Sequence, residues 1–415
     1  MLQRQLKHVG ENSVYYRRRF GEVGFEPGDL RSLSELRRLP VTKKSEYVAS
    51  VNRVPPWGEF LAVPREQVRR VHFSSGTTAR PAPQFWTAPD LERWAQNYAR
   101  GAWSQGVRPG HLFQCLFTYT WFVGGLGATA GYELLGATCI PAGSAETERQ
   151  VRAIFEYGSE VICGTPSFMT HLAETAASLG FDASRSPVRL IMVGGEPGAS
   201  IPATRRRIEA LWGARCFDAY GSLEFQTIAW DCEAQAGLHL IEDFALAEIV
   251  DPESGAAVAD GEHGVLVLTH LDKQAGPLVR WWTGDVVART HQPCACGRTH
   301  ARLVGGVLGR ADDMLIVRGV NLFPSAVEEL VRAAEGATGE YRIIVGGKLR
   351  DAGGFFTGIR LQVEAAPGAP YALGPELALA IKQRLQVRAE VEIVAEGTLP
   401  RSTHKSKRVV EEPPA

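Results

Sequence analysis

Apolar and polar positions follow two periods along this chain, and the change from one to the other marks its elements. Leu2 to Phe20 is a basic amphipathic stretch, and Ser32-Leu33-Ser34-Glu35-Leu36 reads as a capped helix start. A helical period runs from Leu91 to about Gly106, and Val107-Arg108-Pro109-Gly110 then turns the chain into the apolar run His111 to Phe117. The alternation repeats with a helix over Glu146 to Tyr157, a strand at Val161 to Cys163, a helix over Ser167 to Leu179 and a strand at Leu190 to Val193. Helices between short apolar strands predict a layered α/β domain. After Ala245 the pattern becomes strand-rich, with Leu246 to Val250 and Val265 to Thr269 on either side of the turn Asp251-Pro252-Glu253-Ser254-Gly255.

A second boundary falls at Gly309-Arg310-Ala311-Asp312-Asp313. Beyond it the pattern predicts a strand at Met314 to Val317, a helix at Pro324 to Ala334 and a hairpin of Tyr341 to Val345 with Thr357 to Val363. A helix at Pro375 to Leu385 and a strand at Val391 to Val394 follow. That β-α-β-β-α-β order predicts a small ferredoxin-like α+β lid domain over 310–415, set against a large α/β domain over 1–309. The end, Glu411 to Ala415, reads as a frayed polar tail.

Composition narrows the partners. A chain of 415 residues exceeds what one core organises, and 45 basic against 46 acidic residues argue against nucleic acid or an anionic membrane as partner. No apolar run approaches the ~20 residues of a bilayer span, and the charged start, Met1 to Arg19, is unlike a secretory signal, so a soluble cytoplasmic protein is expected. The seven cysteines suggest no disulfide framework; Cys115, Cys139, Cys163 and Cys216 sit in apolar surroundings and read as core. The most distinctive stretch is His72 to Pro81, where Ser74, Ser75, Thr77 and Thr78 surround Gly76. Hydroxyls and free N–H groups in such a loop suit an anion such as phosphate, although a polar surface turn has the same composition.

Further motifs stand in fixed order after that loop: Gly194-Gly195-Glu196-Pro197, Ala219-Tyr220-Gly221-Ser222-Leu223-Glu224, Trp282-Thr283-Gly284-Asp285, Gly309-Arg310-Ala311-Asp312-Asp313, and Leu399-Pro400-Arg401-Ser402 with Lys405. With Tyr15-Tyr16-Arg17-Arg18-Arg19-Phe20 and Arg318-Gly319-Val320-Asn321, the set resembles the adenylate-forming superfamily, most closely the phenylacetate–coenzyme A ligase family. The resemblance implies condensation of an aromatic or arylacetic acid with ATP to an acyl-adenylate and pyrophosphate, followed by transfer to the thiol of coenzyme A. It assigns Ser74, Ser75, Gly76, Thr77 and Thr78 to the phosphates, and Gly195, Glu196, Pro197, Ala219, Tyr220, Gly221 and Ser222 to the adenine and its surroundings. Glu224 resembles the Mg²⁺ carboxylate, Asp285 the acceptor of both ribose hydroxyls, and Arg310 a donor to sugar or phosphate. Lys405, with Lys407 as its rival, supplies the mobile catalytic cation; Asp312 is the hinge, and Arg318, Gly319 and Asn321 approach the acceptor thiol. The aryl pocket is expected along Tyr119, Trp121, Phe122, Gly124 and Gly125, where glycines admit a flat ligand between aromatic walls, although packing alone also explains such aromatics.

Cys232 and His239, with six residues between them, make with Cys294 and Cys296 a Cys₃His set suited to a structural Zn²⁺ that staples two loops. Departures from the family pattern, namely Ala79-Arg80 for Gly-Lys, Trp282 for Arg, Gly198 after Glu196-Pro197 and His404 before Lys405, suggest an acid or acceptor other than phenylacetate and coenzyme A. A stand-alone enzyme loading a carrier protein's phosphopantetheine or an amine is the alternative, a non-catalytic nucleotide-binding module is a third, and a homodimer is left open.

Overall fold

The computed structural model describes residues 1–73, 82–143, 145–311, 315–317, 320–345, 349, 356–399 and 408–411, with the backbone alone at 316, 320, 321 and 411. A twelve-stranded sheet organises the larger part. Thr138–Ile140, Leu112–Cys115, Val161–Gly164, Leu190–Gly194 and Arg215–Ser222 lie side by side as parallel strands. Gln226–Trp230 then turns back antiparallel, and through Leu238–Leu240 and the two-residue strand Arg302–Leu303 the sheet continues into Trp281–Thr290, His263–His270 and Ala245–Val250.

The central parallel strands Val161–Gly164 and Leu190–Gly194 are apolar because both of their faces are covered. Alternate residues enter different cores. Val161, Cys163 and Met192 join Trp94, Tyr98 and Tyr132, whereas Ile162, Ile191 and Val193 join Val151, Ile154, Met169 and Trp212 on the opposite face. Helices Ala88–Ser104 and Gly124–Leu135 approach closely at Gly127 and Gly131, where a Cβ would lie 2.3 Å from Trp94 Nε1 and 2.1 Å from Tyr98 Cβ.

The elements expected from periodicity are present, with differences at the two ends of the chain. The N-terminal amphipathic stretch is two helices, Leu2–Asn12 and Val14–Glu22, broken at Ser13, whose hydroxyl accepts from Tyr16 N. In the C-terminal part a four-stranded sheet runs in the order Ala389–Val394, Ile359–Ala365, Ala337–Val345, Val409–Glu411, packed with helices Pro324–Ala333 and Leu373–Leu385. Leu315–Val317 lies outside this sheet and forms its own hairpin with Val320–Leu322. The sheet's remaining edge comes from Val409–Glu411, a strand that the periodicity did not predict and whose last residue belongs to the end read as frayed; it pairs parallel to Ile343–Val345. Arg408 anchors it, donating to Glu340 Oε2 at 2.7 Å and lying 4.8 Å from the Tyr341 ring centroid. Among the described residues no helix is long and apolar enough to cross a membrane.

Candidate active site

The carboxyl ends of the parallel strands open into the loops that carry the sequence motifs, the usual place for a ligand in a sheet of this kind. Strand Arg215–Ser222 delivers Tyr220 there, and strand Trp281–Thr290 brings Asp285 beside it. The Tyr220 hydroxyl donates to Asp285 Oδ2. Arg310 Nη1 donates to Asp285 Oδ1 at 3.0 Å and to the Thr283 carbonyl at 3.2 Å, because the short strand Gly309–Arg310 pairs with Asp285 and Val286. Thr283 Oγ1 accepts from Asp285 N at 3.0 Å and donates to Leu266 O at 2.8 Å, which fixes the carboxylate's own backbone. Gly284, at φ +78°, is required here: a Cβ would stand 2.6 Å from Arg310 Nη2. Burial, with the Asp285 charge beside it, pushes the Tyr220 phenol well above the ordinary tyrosine range and keeps it a donor.

Glu224 occupies the tight turn between strands Arg215–Ser222 and Gln226–Trp230. Ser222 Oγ caps Phe225 N at 3.2 Å, Gln226 takes φ +54°, and the Phe225 ring stacks on His270 at 3.7 Å. The Glu224 side chain is buried, with Oε1 at 3.5 Å from Lys44 Nζ, while its carbonyl accepts from the buried Lys273 Nζ at 3.4 Å. Neither lysine is marked in the sequence, and only long-range packing brings it to Glu224.

The Gly195–Ser200 loop is bracketed by two carboxylates. Glu196 Oε1 accepts from Ser167 N at 2.7 Å, and burial pushes its carboxyl above the usual range. Asp218 Oδ2 accepts from Ser200 N at 2.8 Å, and a Cβ at Gly198 would lie 2.9 Å from Asp218 Oδ1, which accounts for a glycine after Glu196-Pro197. Asp218, next to Ala219, holds this loop and is a position that sequence reasoning passed over. Ala219 itself pairs with Gly194, and Gly221 with Thr227.

Along the expected aryl pocket the glycines contact the chain itself. A Cβ at Gly125 would meet the Thr118 carbonyl at 2.6 Å, and one at Gly124 the Phe117 ring at 3.2 Å. Their closeness lets helix Gly124–Leu135 seat against the Phe117–Thr118 segment. Tyr119 shares a hydrogen bond with Thr129 and covers Gly143, and Trp121 is 64% exposed with its ring 5.6 Å from Phe73. Phe122 is partly buried beside them. Ser74, Ser75, Gly76, Thr77, Thr78, Asp312, Arg318, Gly319 and Lys405 lie outside the described residues, as does the Asn321 side chain.

The cysteine and histidine set converges. Ligand atoms of Cys232, His239, Cys294 and Cys296 all lie within 4.8 Å of one another. Cys232 Sγ and Cys294 Sγ are 3.8 Å apart, and Cys296 Sγ is 3.4 Å from His239 Nε2. Zn–S and Zn–N bonds of about 2.3 and 2.0 Å at tetrahedral angles require edges of about 3.8 and 3.5 Å, so the donor set fits zinc. It sits where Arg302–Leu303 joins Leu238–Leu240 to Trp281–Thr290 in the sheet.

Residues 29–270 match the AMP-binding enzyme family, and residues 319–412 its C-terminal domain. The chain belongs to the AMP-binding enzyme family. Its relatives within that family include proteins named phenylacetate-coenzyme A ligase, from Thermus thermophilus at 38% identity over 99% of this chain and 94% of the relative, and from Escherichia coli K12 at 37% over 97% and 91%. A crystal structure of 2-hydroxyisobutyryl-CoA ligase in the postadenylation state, in complex with R3-HIB-AMP, superposes with TM-score 0.92 at 31% identity, covering 99% of this chain and 88% of that one. The thioesterification state of the same ligase, over the same shares, gives TM-score 0.74.

Proposed function

We propose that this AMP-binding enzyme activates an aromatic or arylacetic carboxylic acid with ATP and passes the acyl group to coenzyme A. The observation that carries the reading is the Tyr220–Asp285–Arg310 cluster beside the buried Glu224. Asp285 has the chemistry of an acceptor for a diol. Tyr220 donates to Oδ2 and Arg310 to Oδ1, and an ionised carboxylate, with about four lone-pair sites, is the natural acceptor of two ribose hydroxyls. Arg310, more exposed than Asp285, would add a donor to the same sugar or to phosphate.

In the first half-reaction a carboxylate oxygen of the acid attacks the α-phosphorus; the new P–O bond forms as the bond to the bridging oxygen breaks, and pyrophosphate leaves. Both reactants are anions, so cations placed where charge develops lower the barrier. Lys405 serves the bridging oxygen and the Ser74 to Thr78 loop the departing phosphates. Glu224 would hold Mg²⁺ together with phosphate oxygens, which would neutralise charge on the triphosphate. In the second half-reaction the thiol sulfur forms a bond to the acyl carbon and AMP leaves. Residues 310–415 turn about Asp312 between the two steps and bring Arg318, Gly319 and Asn321 to the thiol. Zinc on Cys232, His239, Cys294 and Cys296 braces the sheet and takes no part in the chemistry.

ATP–pyrophosphate exchange over a panel of aryl and arylacetic acids tests the first step, and addition of coenzyme A or a phosphopantetheinylated carrier protein tests the acceptor. Acid-dependent exchange with thioester formed on coenzyme A is expected. Nucleotide binding with no exchange on any acid would leave a binding module, and product on the carrier alone would replace the acceptor.

A further inference from the structure

Behind Glu224 lies a cation that the reaction outlined above leaves unused. Lys273 is 2% exposed. Its backbone N–H donates to Gln5 Oε1 at 3.0 Å and its carbonyl accepts from Gln5 Nε2 at 2.9 Å, so the first helix pins its main chain. The ammonium lies 3.9 Å from the Trp86 ring centroid and donates to two oxygens, Gln84 Oε1 and the Glu224 carbonyl, each at 3.4 Å. Those acceptors belong to different parts of the site. Gln84 sits on the strand that leaves the Ser74–Pro81 segment and pairs with His72 on the strand that enters it, whereas Glu224 sits on the turn of the proposed metal carboxylate.

A methionine would fill the same volume without removing a charge from water. Only a donor with several N–H bonds can tie a side-chain amide on one strand to a main-chain carbonyl on a distant turn. Lys44 faces the Glu224 carboxylate itself, at 3.5 Å. Lys273 bonds the carbonyl, and therefore acts on where Glu224 stands.

We propose that Lys273 is a positioning residue that holds the Glu224 turn at a set distance from the strand following the phosphate loop, and so tunes the enzyme's response to Mg²⁺. The inference rests on the reading of Glu224 as the magnesium carboxylate. The full chain carrying Lys273→Met, Gln84→Met, both together, or Glu224→Gln is assayed by pyrophosphate exchange with Mg²⁺ and the acid varied separately, and folding is checked by circular dichroism. Lys273→Met is expected to lower the maximal exchange rate by at least ~10-fold and raise half-saturating Mg²⁺ by at least ~5-fold, with the KM for the acid within about twofold of wild type. Gln84→Met shifts the Mg²⁺ response in the same direction, and the double variant is no worse than Lys273→Met because both remove one link.

A folded Lys273→Met protein with wild-type rate and Mg²⁺ response, or losses that multiply in the double variant, overturns the inference. Should Lys273→Met not fold, Gln84→Met decides alone, and an unchanged Mg²⁺ response there is the refuting result. If Glu224→Gln keeps wild-type exchange and Mg²⁺ dependence, the reading of Glu224 itself fails, whatever Lys273 does.

Discussion

Replacing Lys273 by methionine should also change how stability depends on pH, and the size of that change follows from where the ammonium sits. Burial lowers its pKa to about 8, opposed by the charges of Asp90 and Glu224. The other groups facing it are neutral: the Gln84 amide, the Glu224 carbonyl, the Trp86 ring, and His270, whose imidazole burial keeps well below its usual range. An unfolded lysine titrates near ~10.4. Below pH 8 Lys273 is charged in both states and the cost of burying it is fully present. Between pH 8 and ~10.4 the native state releases its proton first, so wild-type stability rises with pH; above that range both states are neutral and the rise stops. A difference of about 2.4 pKa units corresponds to about 3 kcal/mol, or roughly 5–10 °C in thermal midpoint for a domain of this size class. Thermal melts of wild type and Lys273→Met at half-unit steps from pH 7 to 10.5 measure it. Other titrating groups cancel in the difference between the two proteins, and that difference should move in favour of wild type across the window. Parallel curves would refute the reasoning, because they would mean that the ammonium is not desolvated as the packing requires.

Three other outcomes are expected. Asp285→Asn keeps the size of the side chain but loses its charge and one acceptor; at about 1.5–3 kcal/mol per charge-assisted bond, KM for ATP should rise roughly 10- to 100-fold in steady-state assays, and an unchanged KM would remove Asp285 from the ribose site. Lys405→Ala should slow acid-dependent pyrophosphate exchange by at least ~100-fold, about 2.7 kcal/mol, while thioester formation from supplied acyl-adenylate is spared; equal loss in both steps would point to misfolding instead. Protein purified without chelator should contain close to one zinc per chain by elemental analysis, and Cys294→Ser should bring this below ~0.2 and lower the melting midpoint. Full zinc content in that variant would show that the metal lies elsewhere.

Much of the scaffold was legible because it is written in local terms. The strand residues Val161 to Cys163 and Leu190 to Val193, and the helices between them, show their periods within a few residues of chain, and the observed spans Val161–Gly164 and Leu190–Gly194 extend each by one residue. The Ser32 to Leu36 cap signal likewise corresponds to a capping box at the helix Leu33–Arg38. The ordered motifs were legible for a different reason: the family resemblance singles out Tyr220, Asp285 and Arg310, and the fold brings Tyr220 and Arg310 within hydrogen-bonding distance of Asp285.

The sequence by itself determined the alternation of elements, the change to a strand-rich region after Ala245, the family and the set of donor residues, because each depends on short-range pattern or on a motif readable in order. Tertiary structure decided what each residue touches. Lys273 becomes a link between Gln84 and Glu224 only when chain segments 189 and 49 residues away in sequence fold around it. Asp218 acquires its role from Ser200, 18 residues earlier. The glycines Gly124 and Gly125 lie close against the Phe117–Thr118 segment, and Val409–Glu411 completes a sheet against Ile343–Val345. Burial and pairing across such separations are set by which surfaces the whole chain can cover at once, and no local period records that.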